Sequence, residues 1–308
     1  MNLRNMTVSF APHIHDRITT RRIMLDVIIA LCPAFIFSIW IFGPRSVLVT
    51  GVCVSSCVFC EWAYEKALKK KNTINDLSAV VTGILLALNM PVIVPLWQAI
   101  FGCFVAIILV KQLFGGIGKN FANPAITARV VMFLAFPVTL TTWVAPFDAV
   151  SSATPLAIMF RGEMTVLSGV WDLFWGVHEG SLGETSELAL LIGGIYLMIR
   201  RVITWHIPVS FIATVFILMF LAGTHPVYQI FSGSLFLGAI FMATDYTTSP
   251  LTNTGRVIFG IGAGMITVLI RLYGSFPEGV SFGILVMNIL VPYINKLTPV
   301  KALGGVKE

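Results

Sequence analysis

From Ile23 to Asn295 the sequence is a succession of apolar runs, most of them near the ~20 residues that carry a helix across a bilayer. They fall at 23–42, 46–64, 77–94, 97–115 and 125–144. After a polar excursion they resume at 186–204, 208–223, 226–243, 256–273 and 276–295. Some are short or broken by proline. Such a chain cannot clothe a water-facing surface: 57% of its residues are apolar and only 11% charged, where soluble domains carry about a quarter charged. Mean hydropathy is +0.90. The class implied is an all-α integral membrane protein of about ten transmembrane helices. The run 23–42 has no small-residue cleavage site after it and reads as a retained first helix. A net charge of +6 does not point to nucleic acid here, because in a membrane protein the placement of charge outweighs its total.

That placement is one-sided. If ten spans alternate from a cytoplasmic N-terminus, seventeen of the twenty Lys and Arg fall inside, and only Arg45, Arg161 and Arg271 outside. Both termini are then cytoplasmic in a multi-pass protein. The chain divides into an arm (1–22), a first five-helix repeat (23–144), an outward loop (145–185), a second five-helix repeat (186–295) and a tail (296–308). The two halves share a pattern. Pro95-Leu96-Trp97-Gln98 precedes Gly102 as Pro226-Val227-Tyr228-Gln229 precedes Gly233. Each half then reaches a polar break, Asn123-Pro124 or Ser249-Pro250, followed by Arg129 or Arg256. Duplicating an odd number of spans turns one copy upside down, which gives an inverted repeat.

Irregular backbone at membrane depth is tolerated only where protein buries it or it lines a cavity. Two stretches look irregular. One runs from Gly115 to Pro124 and is rich in glycine and amides; the other, from Thr244 to Asn253, is a run of hydroxyls around Asp245. Neither matches a nucleotide-binding fingerprint. Their donors and acceptors suit a polar planar ligand or a partly dehydrated ion, and the plain alternative is two cytoplasmic loops. Other ionisable groups have ordinary readings. Asp26 lies one turn from Arg22, an interfacial pair; Glu61 snorkels from a cytoplasmic helix end; Glu278 favours a helix N-terminus. The five histidines show no ligand spacing. Cys57 and Cys60 form a C-x-x-C inside an apolar run, where buried thiols are the reading preferred over a metal pair. No metal site is expected.

The polar excursion opens on Asp148-Ala149-Val150-Ser151-Ser152-Ala153-Thr154-Pro155-Leu156, three hydroxyls in four residues. It is a turn or helix cap, or one hydroxyl carries something. The residues alone leave those readings open.

This stretch resembles the motif at which a flavin transferase attaches FMN, through its phosphate, to threonine. Asn123-Pro124-Ala125 with Arg129, then Thr244-Asp245, then Pro277-Glu278-Gly279-Val280 with Asn288 and Pro292, are similar in order and spacing to the D subunit of the Rnf complex. They are similar, more distantly, to the B subunit of the sodium-pumping NADH:quinone reductase. The resemblance runs from Arg21 to Lys296. In the motif, Ala149 and Ser152 stand where glycine is frequent, and Ser152 adds a competing hydroxyl; position still points to Thr154. The phosphoester that the resemblance implies needs a hydroxyl on an exposed, adaptable segment, and Pro155 keeps Thr154 out of helical geometry.

The resemblance implies a membrane flavoprotein subunit of an ion-translocating ferredoxin:NAD oxidoreductase, in a bacterial or archaeal plasma membrane. It implies FMN on Thr154 in the outward loop, and a second, noncovalent flavin (riboflavin or FMN) in the membrane interior. Asn120, Asn123, Arg129, Asp245 and Thr248 are the candidates to line that interior site; no residue is assigned a catalytic role. The partners implied are the other Rnf subunits (A, B, C, E and G), the lipid bilayer, and sodium or protons. The competing reading is a flavin-free urea- or ammonium-type channel on the same inverted repeat, since fold does not decide function.

Overall fold

The computed structural model describes residues 18–70, 72–147, 151–161, 169–184, 186–276 and 278–299. Most of the N-terminal arm, the tail beyond 299 and Asp148–Val150 lie outside the described residues. What is described is mostly helical. Helix α1 (Thr20–Phe42) is capped by the Thr19 hydroxyl, which accepts from the Arg22 N–H. It ends at Gly43, whose φ of 71° suits glycine, and Pro44 opens α2 (Pro44–Ala67) in the next residue. These two helices, with α13 (Asn253–Tyr273) and α14 (Val280–Leu297), are long and apolar enough to cross a bilayer.

The remaining apolar helices are shorter, because proline and glycine cut the runs. Helix α3 (Ser78–Leu88) stops at Asn89, ahead of Pro91 and Pro95. Helix α4 (Leu96–Phe104) continues as a π-helical stretch over Val105–Gln112. The run 125–144 resolves into α5 (Pro124–Ala135), α6 (Pro137–Thr141) and strand β1 (Trp143–Val144). Strand β2 (Ser151–Ser152) pairs antiparallel with β1, a small ribbon that the all-helical expectation lacked. Two short helices follow, α7 (Pro155–Arg161) and α8 (Val170–Trp175), then α9 (Glu187–Ile199) and α10 (His206–Leu221). The run 226–243 is broken into α11 (Pro226–Ile230) and α12 (Leu235–Leu237), the latter leading into a second π-helical stretch, Gly238–Met242. Gly233, at φ 75°, makes the break.

Small residues let the helices close up, as they do where lipid supplies no hydrophobic drive. A Cβ on Gly193 of α9 would collide with the Ala30 carbonyl of α1, so only glycine permits that crossing. The same crossing is pinned by charge. Asp26 on α1 accepts from Arg200 at 3.2 Å and from the Tyr196 hydroxyl at 3.0 Å. Arg22, the expected partner, is exposed, whereas Asp26 is buried on the face turned to α9. Many large apolar side chains remain exposed, among them Trp40, Phe59, Leu134, Leu221 and Leu269, an exterior that suits lipid.

Cysteines 53, 57 and 103 are buried in the core, and the Cys103 thiol donates to the Cys53 carbonyl. The segment before α9 is not a free loop. Leu182 N–H donates to the Met90 carbonyl and Gly183 N–H to the Leu88 carbonyl, so residues 182 and 183 are held against the end of α3.

Candidate functional site

The two polar breaks meet. Asn123 caps α5, its Oδ1 accepting from the Ala125 and Ile126 N–H groups at 3.0 and 3.3 Å. Its Nδ2 donates across to the Met242 carbonyl, where the second π-helical stretch ends. Asn288 of α14 completes the clamp: its amide donates to the Thr248 carbonyl at 3.0 Å and accepts from the Asn123 N–H at 3.1 Å. One asparagine on each side thus holds irregular backbone that water does not reach, satisfying groups that would cost free energy if left orphaned.

Beside this clamp lies a cavity of about 400 Å³. Its apolar wall is formed by residues such as Ile23, Val27, Val81, Leu85 and Phe241. Its polar part comes from both breaks, from α3 and from the π-helical stretch after α4: Asn120, Asn123, Thr244, Asp245, Thr247, Ser78 and Lys111. Asp245 accepts from the Thr247 hydroxyl at 3.0 Å and the Thr248 hydroxyl at 3.2 Å, and the Thr247 N–H also turns towards it. Asn120 donates to the Ala122 carbonyl. The volume and the mix of apolar wall with few polar groups fall within the range of small-molecule sites, and the amide and hydroxyl donors and acceptors are of the kind a noncovalent flavin would use.

Of the five interior candidates, Asn120, Asn123 and Asp245 line the cavity, and Thr248 supports Asp245 from behind it. Arg129 does not line it. Its Nη2 lies 2.7 Å from Glu278 Oε2 and its guanidinium 5.8 Å from the Trp143 ring centroid. Arg129 lies along α5, beyond the capped end that the cavity touches. Glu278 is therefore an ion-pair partner in addition to a residue near a helix start. Arg256, its supposed counterpart, stays at its own break and donates to the Pro250 carbonyl.

Sequence reasoning missed Lys111 and Glu61. Lys111 Nζ lies 2.8 Å from Glu61 Oε1 and 2.6 Å from Ser78 Oγ. Gln112 and Thr73 also donate to Glu61. Glu61 has no exposed surface, so it does not snorkel: the α2 face that carries it packs on the π-helical stretch. A lysine and a glutamine adjacent in an apolar run were the available signal.

Thr154 sits at the other candidate site. Its hydroxyl accepts from the Ala157 N–H at 3.1 Å and its carbonyl from the Ile158 N–H, which makes it the cap of α7. Thr154 is 9% exposed, less than an adaptable loop suggests, because the cap turns its oxygen inward. A phosphoester oxygen would still accept that N–H bond, so the cap is compatible with the link. Helix α7 packs onto the α11–α12 break: Leu156 and Arg271 Nη2 each lie 3.1 Å from where a Cβ on Gly233 would stand. Arg271 itself donates to the Gln229 and Ser232 carbonyls, satisfying acceptors that the broken helix leaves open. Nearby, His178 is 2% exposed, and burial pushes its imidazole below the usual range.

Residues 7–304 match the model of the NQR2, RnfD, RnfE family. The chain is 45% identical to the D subunit of the Na(+)-translocating ferredoxin:NAD(+) oxidoreductase complex of Acetobacterium woodii, over all of this chain and 98% of that one. It is 39% identical to the D subunit of the proton-translocating ferredoxin:NAD(+) oxidoreductase complex of Clostridium ljungdahlii, over 96% and 95% of the two chains. To the D subunit of the ion-translocating oxidoreductase complex of Stutzerimonas stutzeri it is 38% identical, over 94% and 93%. A match spanning nearly the whole sequence, with 45% identity to one D subunit over all of this chain, places the chain in the NQR2, RnfD, RnfE family.

Proposed function

We propose that this chain is the membrane flavoprotein component of an ion-translocating ferredoxin:NAD oxidoreductase complex, with FMN esterified to Thr154 and a noncovalent flavin in the cavity between the breaks. The observation that carries the reading is the full-length likeness to the D subunits of such complexes. Ten spans in two inverted repeats give the scaffold. In support, a π-helical stretch follows the P-x-aromatic-Q segment in both halves, and such bulges are frequent at functional sites. The termini face the cytoplasm and the Thr154 segment faces outward, as the charge asymmetry asks.

Bound flavins supply the electron-transfer chemistry; the chain supplies anchoring, orientation and electrostatics. Thr154 holds its hydroxyl at the start of α7, where the helix N-terminus favours a phosphate. Asn120, Asn123 and Asp245 offer hydrogen bonds at the rim of the inner cavity, and Val27, Val81 and Phe241 exclude water from its wall. The chain exchanges electrons with the other components of the complex and couples them to movement of sodium or protons.

Coexpression with a flavin transferase, followed by a denaturing gel, tests this. The wild type retains flavin fluorescence through denaturation. A dark band favours the flavin-free channel and overturns the redox reading.

A further inference from the structure

Outside the inner cavity, three carboxylates and two arginines lie within electrostatic reach of one another: Arg271, which donates into the break between α11 and α12, Glu184, Glu187 and the Arg129–Glu278 pair. Glu187 stands in the first turn of α9 with no exposed surface, and among the described residues neither of its oxygens has a hydrogen-bond partner. Glu184, 4% exposed, accepts from the Ser181 N–H at 3.1 Å. It lies within electrostatic reach of Glu187, Arg271 and Glu278. Arg271 and Arg129 are buried cations, and Arg271 Nε and Arg129 Nη1 lack partners among the described residues.

From this geometry we infer that Glu187 is a proton-exchange site: a carboxyl that holds a proton in the resting protein and releases it to Glu184 or to water reaching the 178–184 segment. The charge balance carries the inference. Glu278 is matched by Arg129 at 2.7 Å. Arg271 lies within electrostatic reach of Glu184 and Glu278, whereas the charge that Glu187 meets is the like charge of Glu184. Glu184 keeps a backbone donor, whereas Glu187 has none among the described residues, so the proton resides on Glu187. The start of α9 offers no sufficient substitute. A helix N-terminus stabilises a carboxylate by at most about 2 kcal/mol, while an unpaired buried carboxylate costs several. The Ser186 hydroxyl, moreover, already takes the Ala189 N–H.

Three neighbouring titratable groups do not alter this count. His178 lies on the same segment and stays neutral through burial. Asp26 is occupied by Arg200 farther along α9. Asp172 of α8 is exposed and accepts from the Gly169 N–H. The transfer is acid–base only: the Glu187 O–H bond breaks, the proton moves to a Glu184 oxygen or a water, and no electron changes hands. The unpartnered Ser181 hydroxyl and His178 Nε2 lie on the same segment and suit a relay. The site would serve the proposed translocation, but its protonation stands independently of that reading.

Infrared titration of the purified complex tests the assignment. The carbonyl stretch of a weakly hydrogen-bonded carboxylic acid is expected at neutral pH and lost in Glu187→Gln. Persistence of that full band in Glu187→Gln overturns it. Labelling with dicyclohexylcarbodiimide, mapped by mass spectrometry with and without sodium chloride, gives a second readout. The label is expected on Glu187, slowing about tenfold per pH unit above its titration point and indifferent to sodium at fixed pH. A label on Glu184 in its place, or protection by sodium, contradicts a proton on Glu187. Both readouts use the resting protein. A protonated Glu187 in a complex that moves no ion would refute the translocase reading and leave this site standing.

Discussion

Arg129 and Glu278, 149 residues apart, meet at 2.7 Å and join α5 to the start of α14. Arg129 is 3% exposed and Glu278 22%, so the arginine depends more on the pair than the carboxylate does. Glu278→Ala leaves a buried cation beside the Trp143 ring without its carboxylate and is expected to cost about 3–5 kcal/mol. Glu278→Gln keeps an acceptor and costs less. Thermal unfolding of the purified protein in detergent measures the order.

Lys111 and Glu61 form a drier pair, with side chains 4% and 0% exposed. Lys111→Met alone strands a carboxylate that still has the Gln112 and Thr73 donors, and is expected to lose about 3 kcal/mol or more. Adding Glu61→Leu should restore most of the loss, since an apolar pair of similar volume avoids the desolvation cost. A double mutant no more stable than Lys111→Met would show that the polar contacts, not the unpaired charge, dominate.

Asp245→Asn removes charge from the cavity rim while keeping an acceptor for Thr247 and Thr248. Ion-coupled electron transfer is expected to fall, and the covalent flavin on Thr154 to remain. Normal coupled activity would make Asp245 a structural turn residue.

His178 gives a pH dependence with a definite sign. Its imidazole titrates lower in the fold than in the unfolded chain, so its neutral form favours folding. That contribution is full above about pH 6.5 and is lost as pH falls from there through the lowered folded value. Proteolysis within 169–184 should therefore rise as the pH is taken from about 8 down to about 5.5. His178→Gln should flatten the change.

Hydropathy placed the helices because each run is a local property: the starts of α2 and α4 fall within two residues of the expected ones. Where glycine or proline broke a run, as at Gly233 and Pro137, the interruption was visible as a residue but not as a structure. Charge partners were not legible. The sequence pairs Asp26 with Arg22 because one helical turn is a spacing it displays, whereas the partner in space, Arg200, lies 174 residues away. The cavity was half legible: Asn120, Asn123 and Asp245 stood out in polar breaks, whereas Lys111 and Phe241 join them only through packing. Arg129 followed a break in sequence and left it in space.

Intact mass spectrometry of this chain, coexpressed with a flavin transferase and compared with Thr154→Ala, tests the central claim most directly. The wild type should carry an increment equal to FMN less one water, and Thr154→Ala none. An increment that survives in Thr154→Ala would contradict the assignment and move the link to another hydroxyl, such as Ser151 or Ser152.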